Sequence, residues 1–317
     1  MDIRNRRALK TAAAEALQAA SYDPKKLILI HTAASVVLSL ALSLMDHALQ
    51  QQISGTGGLS GVGNRAILET VQAVLSVGQF AAVLFWQIGY VFVALKISRR
   101  ESVGPRSLLE GFRQFGPVLR LRLSMGLMYA GIGFACFYGA VMIFGMTPWA
   151  QPLLEAGEIG TEEAILAALD ECILPLTLVT LAVMLVLMVP YWYRLRMAEF
   201  ALMDHPRAGA MTAIRMSRWM MHRNRMNLFK VDVSFWWFFG LETLVTMIAY
   251  GDLLLPMLGV ELPWSATVSY YVFLVLCYAG QLALYWWRGN TVQVTYAMCY
   301  EALLPKQLQE QAAESVE

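Results

Sequence analysis

The chain has 317 residues, of which 58% are hydrophobic and 15% charged, with a net charge of +1. Its mean hydropathy is +0.52. Soluble domains carry about 25% charged residues, so the composition excludes an ordinary soluble protein, gives no sign of a nucleic-acid partner, and predicts a polytopic membrane protein.

The N-terminus is basic, with Arg4, Arg6, Arg7 and Lys10 ahead of an alanine-rich helix, Thr11 to Ala20, and Lys25-Lys26 leading into an apolar run. No small-x-small cleavage site follows that run, so it is expected to stay as an uncleaved first span, Leu27 to Met45. His31, near its start, suits a packed, hydrogen-bonded histidine. The glycine-rich run GTGGLSGVG, Gly55 to Gly63, lacks the lysine of a phosphate loop and is expected to be a connector. The second span is Val71 to Ile97 and carries Gln79 and Gln87.

From Pro105 to Phe115 a short interfacial helix is expected. Leu108, Phe112 and Phe115 share one face of it, and Arg106, Glu110 and Arg113 face away. Pro105 suits its first turn, and Gly116-Pro117 is expected to stop it. The third span, Leu123 to Met146, and the fourth, Cys172 to Trp192, flank an acidic segment with Glu155, Glu158, Glu162 and Glu163. Pro175 and Pro190 are expected near the ends of the fourth span.

The segment Ala208 to Met226 predicts a second, more basic amphipathic helix. Arg215, Arg218, His222 and Arg225 are spaced to stack in one stripe, with Met216, Met220 and Met221 towards the other side. The fifth span, Val231 to Tyr250, holds Asp232 at its start and Glu242 near its middle. A carboxylate at that depth costs at least roughly 2–3 kcal/mol on insertion scales, so Glu242 must face protein, water or a partner. Gln79, Gln87 and Gln281 are the other deep polar groups expected to meet it. The sixth span is Ala266 to Trp287, and residues 306–317 form a polar tail after a single membrane domain, 1–305.

The distribution of charge orients these six spans. Residues 1 to 26 hold six Lys or Arg, and the connection after the second span holds seven with Lys96. Tyr193 to Lys230 holds eight, and the C-terminal tail holds two. The opposite side has only Arg65 and most of the acidic loop residues. The positive-inside rule then places both termini in the cytoplasm. An order of basic helix, span, loop and span occurs three times, which suggests three helical-hairpin repeats.

The run Ala213-Ile214-x-x-Ser217-x-x-x-Met221, then Leu228-Phe229, then Asp232-Val233-Ser234-Phe235, resembles the signature of a bacterial membrane family, domain-of-unknown-function family 975. Leu108 to Phe115, Val189-Pro190 and Tyr300 also fit that family. Two positions depart from it: Arg223 stands where the family has glycine, and Trp237-Phe238 replaces its Gly-Trp. The resemblance implies a six-span integral membrane protein and no established activity. A more distant similarity to the membrane domain attached to some glycerophosphodiester phosphodiesterases hints at lipid-related work.

No catalytic motif is present, neither H-E-x-x-H, G-x-x-x-x-G-K-[ST] nor G-x-S-x-G, so a non-enzymatic protein without cofactor or metal is expected. Asp204, His205 and His222 follow no recognised ligand spacing. Cys136, Cys172, Cys277 and Cys299 suit apolar packing. Two functions remain. One is a membrane protein whose basic cytoplasmic elbows, above all Arg215, Arg218, His222 and Arg225, bind anionic lipid, a membrane partner or a second copy. The other is a small transporter or channel with a polar path around Glu242.

Overall fold

Every regular element in the computed structural model is a helix, among the residues it describes, 3–55, 62–257 and 266–304. In chain order these are α1 (Arg6–Gln18), α2 (Pro24–Gly55), α3 (Val62–Ser98), and a 3-10 turn (Pro105–Leu109) running into α4 (Glu110–Arg113). Then come α5 (Phe115–Gly145), α6 (Gln151–Ile159), α7 (Glu162–Leu195), α8 (Ala198–Asp204), α9 (Ala210–Met221), α10 (Arg225–Val233), α11 (Trp236–Ile248) and α12 (Gly251–Met257). The last are α13 (Ala266–Leu284), a π-helical turn (Tyr285–Gly289) and α14 (Asn290–Leu303). Most of the glycine-rich run and the whole of the 306–317 tail lie outside the described residues.

Four helical stretches are long and apolar enough to cross a membrane: Pro24–Leu42, Phe115–Gly145, Glu162–Asp204 and Val268–Leu303. The count reaches five if α10 and α11, bent by 66° at their junction, form one span. The expected second span falls in α3, whose described apolar stretch is the shorter Phe85–Ser98. Long runs of exposed Leu, Phe, Met and Val on α5 and α7, including Leu127, Phe134, Met142, Leu174 and Val186, form an apolar surface suited to lipid rather than water.

The described residues group into two compact units, Met1–Val118 with Met226–Glu317, and Leu119–Arg225. In the first, α2 packs along α3, α14 packs on α1 and α3, and α11 packs on α13. Asn290, at the head of α14, ties three segments: its Nδ2 donates to the Pro24 carbonyl at 2.9 Å, and its Oδ1 accepts from the Tyr90 hydroxyl. In the second unit, α6 packs on α7, and α9 packs on α7 and α8. Arg122 and Glu199 pair at 2.9 Å between α5 and α8, and Tyr129 meets Tyr191 edge-on across α5 and α7.

The 105–113 elbow sits against α3 through two glycines. A Cβ at Gly89 would overlap the Leu108 carbonyl, and one at Gly111 would overlap the Phe85 carbonyl. Leu108 is buried, and Phe112 and Phe115 lie against the Phe85 ring, as their shared face predicts. Gly116-Pro117 does not stop the helix. The break comes at Gln114, and α5 starts at Phe115 with Pro117 in its first turn, where a missing N–H breaks no helical bond. Pro175 and Pro190 are interior to α7, which starts at Glu162, well before the expected span, and ends at Leu195, just after it. All four cysteines are buried and free.

Candidate functional site

The basic helix α9 presents Arg215 and Arg218 outward, with His222 exposed at its C-cap. Its underside is buried: Ala213, Ile214, Ser217, Met220 and Met221. Met216 is half-buried, and Met211 and Trp219 stand exposed beside the cations, 56% and 65%. Arg218 is held in place, its Nη2 donating to the Tyr191 hydroxyl at 3.1 Å and lying 3.3 Å from Met128 Sδ. The expected four-residue stripe is shorter than its spacing implies. The helix ends at Met221, three residues of turn intervene, and half-buried Arg225 opens α10. The terminating signal is Asn224, whose side-chain amide donates to the Met220 carbonyl at 2.9 Å and so competes with continued helix. Asp204 and His205 lie nearby in sequence, 3.6 Å apart.

Ser217 anchors this helix from beneath. It is fully buried; its hydroxyl donates to the Arg194 carbonyl at 2.8 Å and accepts the Met197 N–H at 3.2 Å. Those two backbone groups sit where α7 gives way to α8, so one hydroxyl closes the junction.

The expected continuous fifth span is broken instead. Helix α10 ends at Val233, and α11 restarts at Trp236, 66° away. Ser234 caps the first end by donating Oγ to the Val231 carbonyl at 2.6 Å. Lys10 of α1 donates to the Ser234 carbonyl at 2.9 Å and lies over the Phe235 ring at 3.9 Å. Arg6 donates to the Lys230 carbonyl at 3.4 Å. Asp232 accepts from the Tyr296 hydroxyl of α14 at 2.5 Å, a partner beyond the local basic residues expected for it. At the break the Ser234 carbonyl is taken by Lys10, while the Phe238 N–H, its partner in a straight helix, turns to the Phe235 carbonyl at 2.8 Å.

Deeper in the same segment, Glu242 accepts from the Tyr285 hydroxyl at 2.5 Å. The expected glutamine partners do not supply this bond. Gln87 is exposed, Gln281 donates towards Cys277 Sγ one turn away at 3.7 Å, and the side chain of Gln79 lies outside the described residues. Tyr285 opens the π-helical turn, whose wider winding re-aims side chains along an otherwise regular helix. Tyr285→Phe is expected to lower stability by about 1–2 kcal/mol, because the carboxyl loses its donor. Glu242→Gln keeps an acceptor and should shift thermal unfolding less; equal shifts would refute the pairing. His31 is sandwiched by Trp86 (stacked, 5.5 Å) and Tyr90 (4.8 Å), and Trp86 Nε1 donates to the His31 carbonyl at 2.8 Å.

The residues of the signature thus have structural duties: Ser217 and Met221 under α9, then Leu228, Asp232, Ser234 and Phe235 around the bend. The family model described as a protein of unknown function, DUF975, matches residues 1–306. The chain belongs to this family. No curated protein and no solved structure matches the chain, so the distant similarity to phosphodiesterase membrane domains finds no support among them. These signature residues stand at helix junctions. Their chemistry-bearing neighbours, Lys10 and Tyr296, come from the two ends of the chain, where no local spacing could connect them.

Proposed function

We propose that this DUF975 protein is a non-enzymatic, six-span protein of the bacterial cytoplasmic membrane that binds anionic lipid through its basic elbow helix. In this reading α3 and the bent α10–α11 pair supply the spans beyond the four apolar helices, the three basic-helix-and-hairpin units repeat, and both termini are cytoplasmic. The observation that supports it is the outer face of α9, where exposed Arg215, Arg218 and His222 stand beside exposed Trp219 and Met211 over a buried underside. Cations next to amphipathic aromatic and apolar side chains match the headgroup layer, where phosphates and acyl chains meet. The alternative, transport along a polar path at Glu242, draws less support, because that carboxyl is engaged by Tyr285.

Each surface cation contributes about 1 kcal/mol to attraction by an anionic membrane. Arg215→Gln/Arg218→Gln should therefore bind anionic lipid about 30-fold more weakly than wild type when both are extracted gently and their bound lipids weighed by mass spectrometry. Unchanged retention would refute the role of α9.

A further inference from the structure

The N-terminal helix carries an unexplained concentration of charge. Arg4, Asn5, Arg6, Arg7 and Lys10 line, together with Ser234, a cavity of about 500 Å³ at the bend between α10 and α11. Four of its six lining residues are cationic. The cations cluster at the N-terminal end of α1, and its first turn has no acidic residue. That is the helix end where the backbone dipole disfavours positive charge. Lys10 is half-buried, and both its burial and the neighbouring Arg6 push it below the usual lysine range. Two of the cations already reach carbonyls of the bend, Arg6 to Lys230 and Lys10 to Ser234. A third, Arg7, adds guanidinium donors at the cavity wall. Simple anchoring to a membrane needs positive charge but not a concavity; a concave wall of guanidinium groups is the geometry that receives a compact, multiply charged oxyanion.

We propose that this cavity is a binding site for a phosphate-bearing anion, either a free phosphate compound or the phosphate headgroup of a lipid, and that its occupation holds α1 onto the bend. The site is separate from the α9 face and stands or falls apart from it. A phosphate there accepts hydrogen bonds from Arg6 and Arg7 and offsets the mutual repulsion of the four cations. Because Lys10 and Arg6 also touch the bend, the ligand locks the angle between α10 and α11.

The test uses full-length protein in a neutral detergent, titrated separately with inorganic phosphate and with short-chain phosphatidic acid, and read by native mass spectrometry and thermal unfolding. Wild type is compared with Arg6→Gln/Arg7→Gln, with Arg6→Lys/Arg7→Lys, and with Arg215→Gln/Arg218→Gln. The expected result is an adduct and a rise in Tm for wild type and for the α9 variant, roughly tenfold weaker binding for the glutamine pair, and partial recovery with lysines. Binding of both probes assigns the site to free phosphate compounds; binding of phosphatidic acid alone assigns it to a lipid headgroup. Equal affinity in wild type and Arg6→Gln/Arg7→Gln, or no adduct with either probe, overturns the proposal. Loss of binding only in the α9 variant would overturn it while leaving the role of α9 intact. Arg6 and Arg7 are exposed, so their replacement is not expected to impair folding.

Discussion

Gly89→Ala should be the most damaging single-methyl addition to this chain, costing about 3 kcal/mol or more and leaving little protein recoverable in folded form. The added carbon would overlap the Leu108 carbonyl, a backbone atom. A side chain in that position could rotate away; a carbonyl in a 3-10 turn moves only if the whole elbow moves. The elbow is fixed from the other side by Gly111, which meets the Phe85 carbonyl in the same way, and by buried Leu108. Gly111→Ala should therefore fail similarly. Gly104→Ala and Gly116→Ala, where a Cβ meets open space, should unfold close to wild type. Thermal unfolding followed by tryptophan fluorescence, with yield from size-exclusion chromatography, separates these outcomes. A stable Gly89→Ala protein would mean that the elbow does not lie on α3 as described.

Ser217→Ala is expected to cost about 1–3 kcal/mol for the removal of one oxygen atom. That hydroxyl is buried among Ala213, Ile214 and Met221, and it both accepts from Met197 N–H and donates to the Arg194 carbonyl. Alanine fits the space but leaves two backbone groups unpaired where no water replaces the hydroxyl. Ser217→Thr keeps the hydroxyl but adds a methyl to a packed site, so it should fall between wild type and alanine. Hydrogen exchange at Met197 gives a local readout: its amide should lose protection in Ser217→Ala. Unchanged protection would show that this junction closes without the serine.

Helix existence is legible in the sequence because long apolar runs have few physical solutions in a bilayer. Both elbow helices are legible too, from the spacing of Leu108, Phe112 and Phe115 and of Arg215 and Arg218. The break at Ser234-Phe235 is not. It lies in an aromatic run without proline or glycine, and Lys10, which takes the Ser234 carbonyl, sits 224 residues away. Hydropathy identifies Glu242 as a residue in need of a partner, but Tyr285 is delivered by a π-helical turn that no residue pattern announces. The stripe on α9 reads as far as Arg225 because helical spacing persists past Met221, while Asn224 ends the helix. The basic N-terminus reads as a charged lead-in; it becomes a cavity only when Ser234 closes one side.

The two compact units differ in how the ribosome delivers them. Leu119–Arg225 is one uninterrupted stretch, so its packing partners are all present once Arg225 has emerged. The other unit is sewn from both ends of the chain, and its ties are long: Tyr90 to Asn290 spans 200 residues, and Asn290 to the Pro24 carbonyl spans 266. Helices α1 to α3 must therefore wait, with Asn290 still unmade, until nearly the whole protein has been synthesised. During that interval the early helices are the segment most exposed to quality-control proteases and insertion chaperones. A chain truncated before α14 should accumulate with its middle third protected from protease and its first hundred or so residues digestible.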